Sequence, residues 1–288
     1  MTNLALKHSS TFKIKGFIFS TLLLILFSCK DQNSLFVSLK SNKTHIRFSN
    51  DLTSTTDLNI LNYLYYYNGG GVAAADFNND GLADLYFTGN QTEDKLYINL
   101  GDLQFKDVTS EAFIQNSVPW TTGVTTVDIN NDGWLDIYIC KVGKHEAIKG
   151  KNLLYVHQGV NEKGIPIFKE MASSYGLDLA SYATQAVFFD YDKDDDLDLF
   201  LLNHSLHPNR NYGSGALRNQ VDEMSGDKLL ENTNGMFVDV SEKAGIFQGK
   251  IGYGLGVAVG DVNNDSYPDI YIGNDFFEND YLYINQKN

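Results

Sequence analysis

The stretch DYDKDDDLD at 190–198 holds six aspartates in nine residues. Neighbouring carboxylates repel, so an ordered arrangement of them needs a compensating cation or generous solvation. Three more stretches share its spacing: DFNNDGLAD at 76–84, DINNDGWLD at 128–136 and DVNNDSYPD at 261–269. All four carry Asp at position one, Asp or Asn at three, Asp at five and Asp at nine. Short oxygen-bearing side chains at one, three and five of a turn point to a common centre. The residue at seven adds a backbone carbonyl, and the Asp at nine closes the shell. The expected ligand sets are Asp76, Asn78, Asp80, Leu82 and Asp84; Asp128, Asn130, Asp132, Trp134 and Asp136; Asp190, Asp192, Asp194, Asp196 and Asp198; and Asp261, Asn263, Asp265, Tyr267 and Asp269. An all-oxygen set of high negative charge matches the six to eight ligands that Ca2+ prefers, whereas Mg2+ demands a stricter octahedron. Soft metals would need Cys or His, which these loops lack. Up to four calcium ions are expected, with a structural role first, because metal binding to such loops contributes folding free energy.

A helix-flanked calcium loop would place a bidentate Glu at position twelve. That position is Phe87, Ile139, Leu201 and Ile272, all apolar. Position six is Gly81 and Gly133 in two loops, where a positive φ is easily adopted, but Asp195 and Ser266 in the others. Those two turns are expected to be strained or to bind more weakly. The side chains of Asp195 and Asp196 are expected to point outward.

Each loop must be positioned by the segments beside it, and these repeat as well. GVAAA, GVTTV, TQAVFF and GLGVAVG precede the loops, and DLYFTGN, DIYICK, DLFLLNH and DIYIGND follow them. Further on come KLYIN, LLYVH and YLYIN, then FKDVTSEAF, FKEMASSYG and FVDVSEKAG. These are short β-branched and aromatic runs, so the repeating unit is about four strands with the aspartate loop joining the first two. The loops start 52, 62 and 71 residues apart, too long for helical hairpins and suited to β-propeller blades carrying insertions. The longest interval contains an insertion at about 203–231, with a short helix expected near 216–224 from Leu217, Val221 and Met224. The chain is therefore expected to be all-β, with about four blades of four strands each. A composition of 17 Tyr, 18 Phe and 25 Gly against 4 Pro agrees with aromatic strands joined by tight turns.

A net charge of −14 without a basic cluster excludes a nucleic-acid backbone as partner. Residues 1–28 carry Lys7, Lys13 and Lys15, no acid, and an apolar run that ends before Cys29, the pattern of a signal peptide. Residues 29–43 read as a tether and 44–288 as the repeat region. Cys140 is left as an inert thiol, so no internal disulfide is expected. Phe276 and Phe277, in NDFFENDYLY, and Trp120 are candidate contacts for a glycan or peptide, although packing between sheets is the favoured use of each. Trp134 is also assigned to packing, and His204, His207 and Arg210 to an ordinary polar loop. No G-x-S-x-G, H-E-x-x-H, Walker or dinucleotide signature is present.

The D-x-[N/D]-x-D-G-x-x-D loops between strands resemble the FG-GAP or VCBS repeats of integrin-alpha-type β-propellers. The stretches YYYNGGGVAAADFNNDGLADLYFTGN and GLGVAVGDVNNDSYPDIYIGNDFFENDYLYIN more closely resemble repeat lipoproteins of Bacteroidetes, related to the ASPIC/UnbV and cartilage acidic protein families. LFSC resembles a lipobox, which implies lipidation of Cys29 and an outer membrane lipoprotein exposed at the cell surface. Such propellers usually have seven blades, so an incomplete larger propeller is expected. The alternative is a small ring closed by HIRFSNDLT pairing with the last LYIN. The resemblance implies a calcium-binding binding, adhesion or scaffold module for an extracellular glycan or protein. The alternatives are a propeller-based polysaccharide hydrolase or lyase, and a structural part of a longer envelope protein.

Overall fold

The computed structural model describes residues 34–115, 120–206 and 217–287; residues 1–28, where a signal peptide is expected, and Cys29, His207 and Arg210 lie outside them. Residues up to Lys40 form a unit separate from Ser41–Asn288. No helix among the described residues is long and apolar enough to cross a membrane.

The larger unit is an all-β propeller of four blades, each an antiparallel meander. Blade one is β1 (Val72–Ala75), β2 (Asp84–Phe87), β3 (Lys95–Asn99) and β4 (Phe105–Asp107). Blade two is β5 (Thr121–Val127), β6 (Asp136–Lys141), β7 (Leu153–Val160) and β8 (Pro166–Glu170). Blade three is β9 (Ala183–Phe189), β10 (Asp198–Asn203), β11 (Lys228–Thr233) and β12 (Met236–Asp239). Blade four has three strands among the described residues, β13 (Gly254–Gly260), β14 (Asp269–Asn274) and β15 (Tyr281–Tyr283). Among the described residues helix is confined to single turns, α1 (Ser41–Thr44) and α2 (Ala172–Tyr175). The helix expected near 216–224 is not formed over 217–224, where turns and a Val221–Gly249 bridge occur instead. Three apolar residues at helical spacing did not outweigh the local turns.

In blades two and three the second strand is apolar at successive positions because both its faces meet a core. Ile137 and Ile139 of β6 face the core shared with blade one, while Tyr138 and Cys140 face the core shared with blade three. Leu199 and Leu201 of β10 join that second core, and Phe200 and Leu202 pack on blade four with Ile270 and Ile272. Burial pushes the Cys140 thiol well above its ordinary range, as expected for an inert cysteine. Innermost strands are small and glycine-rich because neighbouring blades nearly touch there. A Cβ on Gly123 would lie 2.5 Å from the Thr184 carbonyl oxygen.

The segment at 45–53 does not pair with β15. It lies on blade one: the Arg47 N–H donates to Tyr97 Oη at 3.3 Å, and Phe48 stacks on Phe87 at 5.1 Å between centroids. Stacking of two large rings outweighs strand pairing at a distant edge.

A fourth core lies at the entry to the inner strands, built from Tyr63, Tyr65, Tyr66, Trp120, Ile251 and Tyr253. His204 sits against it, buried rather than in a surface loop. Thr184 Oγ1 is 3.1 Å from its Nδ1 and Tyr63 Oη is 3.3 Å from its Nε2. Burial drives its pKa down to about 3, so the folded chain holds the imidazole neutral. A base with a depressed folded pKa contributes stability above pH 6.5 that is lost as pH falls from 6.5 towards 3. At about 1.4 kcal/mol per pKa unit, the expected loss is about 4 kcal/mol. Urea unfolding of wild type and His204→Gln across that window measures it as the difference in slope, which cancels the opposite contribution of the buried carboxyls.

Candidate metal centre

Each aspartate loop joins the innermost strand of a blade to its second strand. At 76–84 the first carboxylate folds over the turn: Asp76 Oδ1 accepts the Asp80 N–H at 3.0 Å and Oδ2 accepts the Gly81 N–H at 2.7 Å. Asp128 accepts from Asp132 and Gly133, and Asp261 from Asp265 and Ser266, at 2.8–3.0 Å. Asn78, Asn130 and Asn263 each donate from Nδ2 to the position-five Oδ2 at 2.9 Å. The position-five Oδ1 in turn accepts the N–H of Leu82, Trp134 or Tyr267 at 2.9 Å. Positions one, three and five are thus gathered on one side of the turn by local hydrogen bonds.

The backbone reason is two left-handed residues per loop. Position six has φ of 86° and 84° at Gly81 and Gly133, and 73° at both Asp195 and Ser266. Position four is left-handed as well, at Asn79, Asn131, Lys193 and Asn264 with φ from 55° to 65°. Sequence reading placed the requirement only at six, although the Asn that precedes the position-five Asp in three loops is its signature. Asn tolerates this region, whereas a lysine or serine pays a steric cost there. Asp195→Gly and Ser266→Gly are each expected to raise stability by roughly 0.5–1 kcal/mol, read as a higher urea midpoint.

The loop at 190–198 differs in charge. Asp192 replaces the asparagine, so no amide donor separates it from Asp194. One carboxylate oxygen from each of Asp190, Asp192 and Asp194 lies within 4.8 Å of the others. Burial and the charge of Asp194 raise the pKa of Asp192. Asp195 is exposed, but Asp196 does not point outward as expected: its Oδ1 is buried without a hydrogen-bond partner. Desolvation and the fields of Asp194, Asp192 and Asp190 raise its pKa, so a fourth carboxyl leans on the same cluster. An oxygen-only cluster of this charge suits Ca2+ and is the strongest fit among the four.

Position nine has a role that the spacing did not reveal. Asp84, Asp136, Asp198 and Asp269 are buried, and both oxygens of each hold backbone. Oδ2 accepts the position-two N–H of Phe77, Ile129, Tyr191 or Val262 at 2.9–3.1 Å. Oδ1 accepts the N–H of Asn99, His157, Asn232 or Asn285, after or within the third strand, at 2.7–2.8 Å. This aspartate therefore ties the loop to the third strand, and each oxygen keeps a second lone pair for a cation. The available signal was the polar residue closing each third-strand motif: Asn99, His157, Asn232 and Asn285. Burial pushes Asp84 and Asp136 up to about 6 and Asp198 to about 7, which a neighbouring cation would reverse.

The residues at seven stand at the loop rims. Leu82 is partly exposed, Trp134 stacks on His157 at 4.5 Å, and Tyr267 has Lys193 Nζ 4.4 Å from its ring centroid. Lys287 Nζ lies 3.3 Å from Asp265, so two ammonium groups crowd the loop at 261–269 and oppose a cation there. Of the other candidate contacts, Trp120 is buried among Tyr63 and Tyr66, Phe276 packs edge-on to Tyr253 at 4.9 Å, and Phe277 is exposed.

Three of the four aspartate loops lie in segments that family models match. Residues 76–139 match the FG-GAP-like repeat model, and residues 253–284 match the FG-GAP repeat model. In those two segments the repeats are of the FG-GAP type. The chain is also similar to cartilage acidic protein 1. Identity to the human protein is 30% over 139 residues, covering 47% of this chain and 20% of that protein. The mouse protein is 28% identical over 139 residues, and the Xenopus tropicalis protein 27% over 155, covering 47% and 52% of this chain and 21% and 22% of those proteins. The chain thus spans about a fifth of the length of the curated relatives it matches.

Proposed function

We propose that this chain is a calcium-stabilised propeller module that binds an extracellular glycan or protein, or scaffolds an assembly, while held at an outer membrane surface by lipid on Cys29. The observation that carries the calcium reading is the common loop geometry, which gathers positions one, three and five around a turn in all four blades. Asp190, Asp192, Asp194 and Asp198 would hold the ion most tightly, because no amide donor dilutes their charge. Bound ions would fix the loops and, through the position-nine aspartates, the third strands behind them. The rims are thereby made rigid enough to present residues to a ligand.

Calorimetric titration of a chelator-stripped preparation tests this. Binding of up to four calcium ions per chain is expected, with Asp190→Asn/Asp194→Asn removing the tightest step. Less than one ion bound per chain at millimolar calcium would sink the reading. A glycan array probed with and without calcium separates ligand binding from scaffolding alone. Loss of labelled-lipid incorporation in Cys29→Ser tests the anchor.

A further inference from the structure

A pocket of about 300 Å³ is lined by the segment at 63–72 and by the starts of β5, β9 and β13. Strand β9, which carries two of its polar residues, packs between β5 and β13. None of the lining residues bears a charge, in a chain whose net charge is −14.

Gln185 stands five residues before its aspartate loop, where blades one, two and four have Gly71, Gly123 and Gly256. Its side chain is an addition made by blade three alone, and it lines the pocket. Asn68 lines the same pocket from the segment that leads into β1. Neither side-chain amide is hydrogen-bonded to any described residue. Each holds two donors and an acceptor open to a ligand.

The third polar group is the hydroxyl of Thr184, whose proton is directed by a hydrogen-bond chain behind the pocket. The Trp120 side chain bonds to that of Tyr63, and its indole N–H is the only donor it has. The Tyr63 hydroxyl accepts there and donates to His204 Nε2 at 3.3 Å. Burial holds that imidazole neutral, so its one proton lies on Nδ1 and goes to Thr184 Oγ1 at 3.1 Å. Thr184 accepts from behind, and its own O–H is left to donate to a ligand.

We propose that this pocket binds one sugar ring at the end of a neutral glycan, with Thr184 donating to one ring substituent and the Asn68 and Gln185 amides bridging neighbouring hydroxyls. Sugar hydroxyls both donate and accept, and the open groups supply both functions. A few convergent polar groups in a concavity at the small end of ligand sites suit such a ring. Acidic sugars are rejected, because nothing in the lining offsets a carboxylate and the chain as a whole repels it. The site names a ligand class for the glycan-binding role proposed above and rests on that reading.

The test is a ligand-observed NMR titration of the full chain, in saturating calcium, with the methyl glycosides of glucose, galactose, mannose and N-acetylglucosamine and with glucuronic acid. Saturable one-to-one binding of at least one neutral glycoside is expected, at least tenfold tighter than that of glucuronic acid. Gln185→Gly, which restores the residue of the other three blades, and Asn68→Ala each weaken it about tenfold, the worth of one hydrogen bond, with an unchanged melting temperature. In the wild-type chain the side-chain amide signals of Gln185 and Asn68 shift as the sugar is added, a readout that needs no variant to fold. Glycans bound alike by the wild type and both variants, on an array or in solution, overturn this site and leave the glycan reading standing. No glycoside binding by a chain that melts normally in calcium overturns the site, and a dark glycan array in addition overturns the glycan reading. Tighter binding of glucuronic acid than of every neutral glycoside overturns the proposal as well.

Discussion

Stripping the ions with excess chelator is expected to lower the melting temperature by tens of degrees. A site held at a hundredfold excess over its dissociation constant stabilises the fold by about 2.7 kcal/mol, so four such sites would supply about 11 kcal/mol. That is comparable with the whole stability of a typical domain, about 5–15 kcal/mol. For a unit of this size each kilocalorie shifts the transition by about 2–4 °C. Scanning calorimetry in calcium, in chelator and after calcium is restored measures the effect. An unchanged melt in excess chelator, on a preparation first shown to be metal-loaded, would overturn the structural role of calcium. The physical source of the effect is repulsion in the empty loops, greatest where Asp190, Asp192 and Asp194 converge.

Asp136→Ala is expected to destabilise the chain by about 4 kcal/mol even in chelator, because two buried N–H groups lose charged acceptors at once. Those groups belong to Ile129, in the loop, and His157, in the third strand of blade two. Asp136→Asn keeps one acceptor oxygen and should cost about half as much. Asp132→Ala, in the exposed part of the same loop, should change chelator-state stability by less than about 1 kcal/mol. Urea unfolding of the three variants, with and without calcium, separates the position-nine residue's hold on backbone from any contribution to an ion. Equal costs for Asp132→Ala and Asp136→Ala in chelator would contradict the assignment.

Much of this architecture was legible because it is local and repeated. Alternating small and β-branched residues before each aspartate loop, and apolar runs after it, became the first and second strands of every blade. FKDV, FKEM and FVDV became or adjoined the outer strands β4, β8 and β12. The left-handed turn at position six was legible at Gly81 and Gly133 and extends to Asp195 and Ser266, because the same hydrogen-bonded turn recurs in register.

What escaped sequence reading depends on partners distant in the chain. Asp136 looked like one more ligand, yet its Oδ1 contact is with His157, 21 residues away. His204 looked like a loop residue, and tertiary packing buried it against Tyr63, 141 residues before it. HIRFSNDLT looked like an edge strand, but Phe48 finds a stacking partner on blade one.

By itself the sequence determined the repeating unit, the oxygen-rich character of its four loops and the two-sided apolar pattern of the second strands. These follow from short-range backbone preference and side-chain alternation, which each blade carries within itself. Only the tertiary structure decided which face of each blade is covered. Tyr86, Tyr138, Phe200 and Tyr271 hold the same place in the repeat; the first three are 0% exposed and Tyr271 is 45% exposed. Gly123 abuts the Thr184 carbonyl of the next blade, while Gly256, at the same place, has nothing within 4 Å of its Cβ position. Burial is a property of the neighbour rather than of the residue, so identical motifs become core in one blade and surface in another.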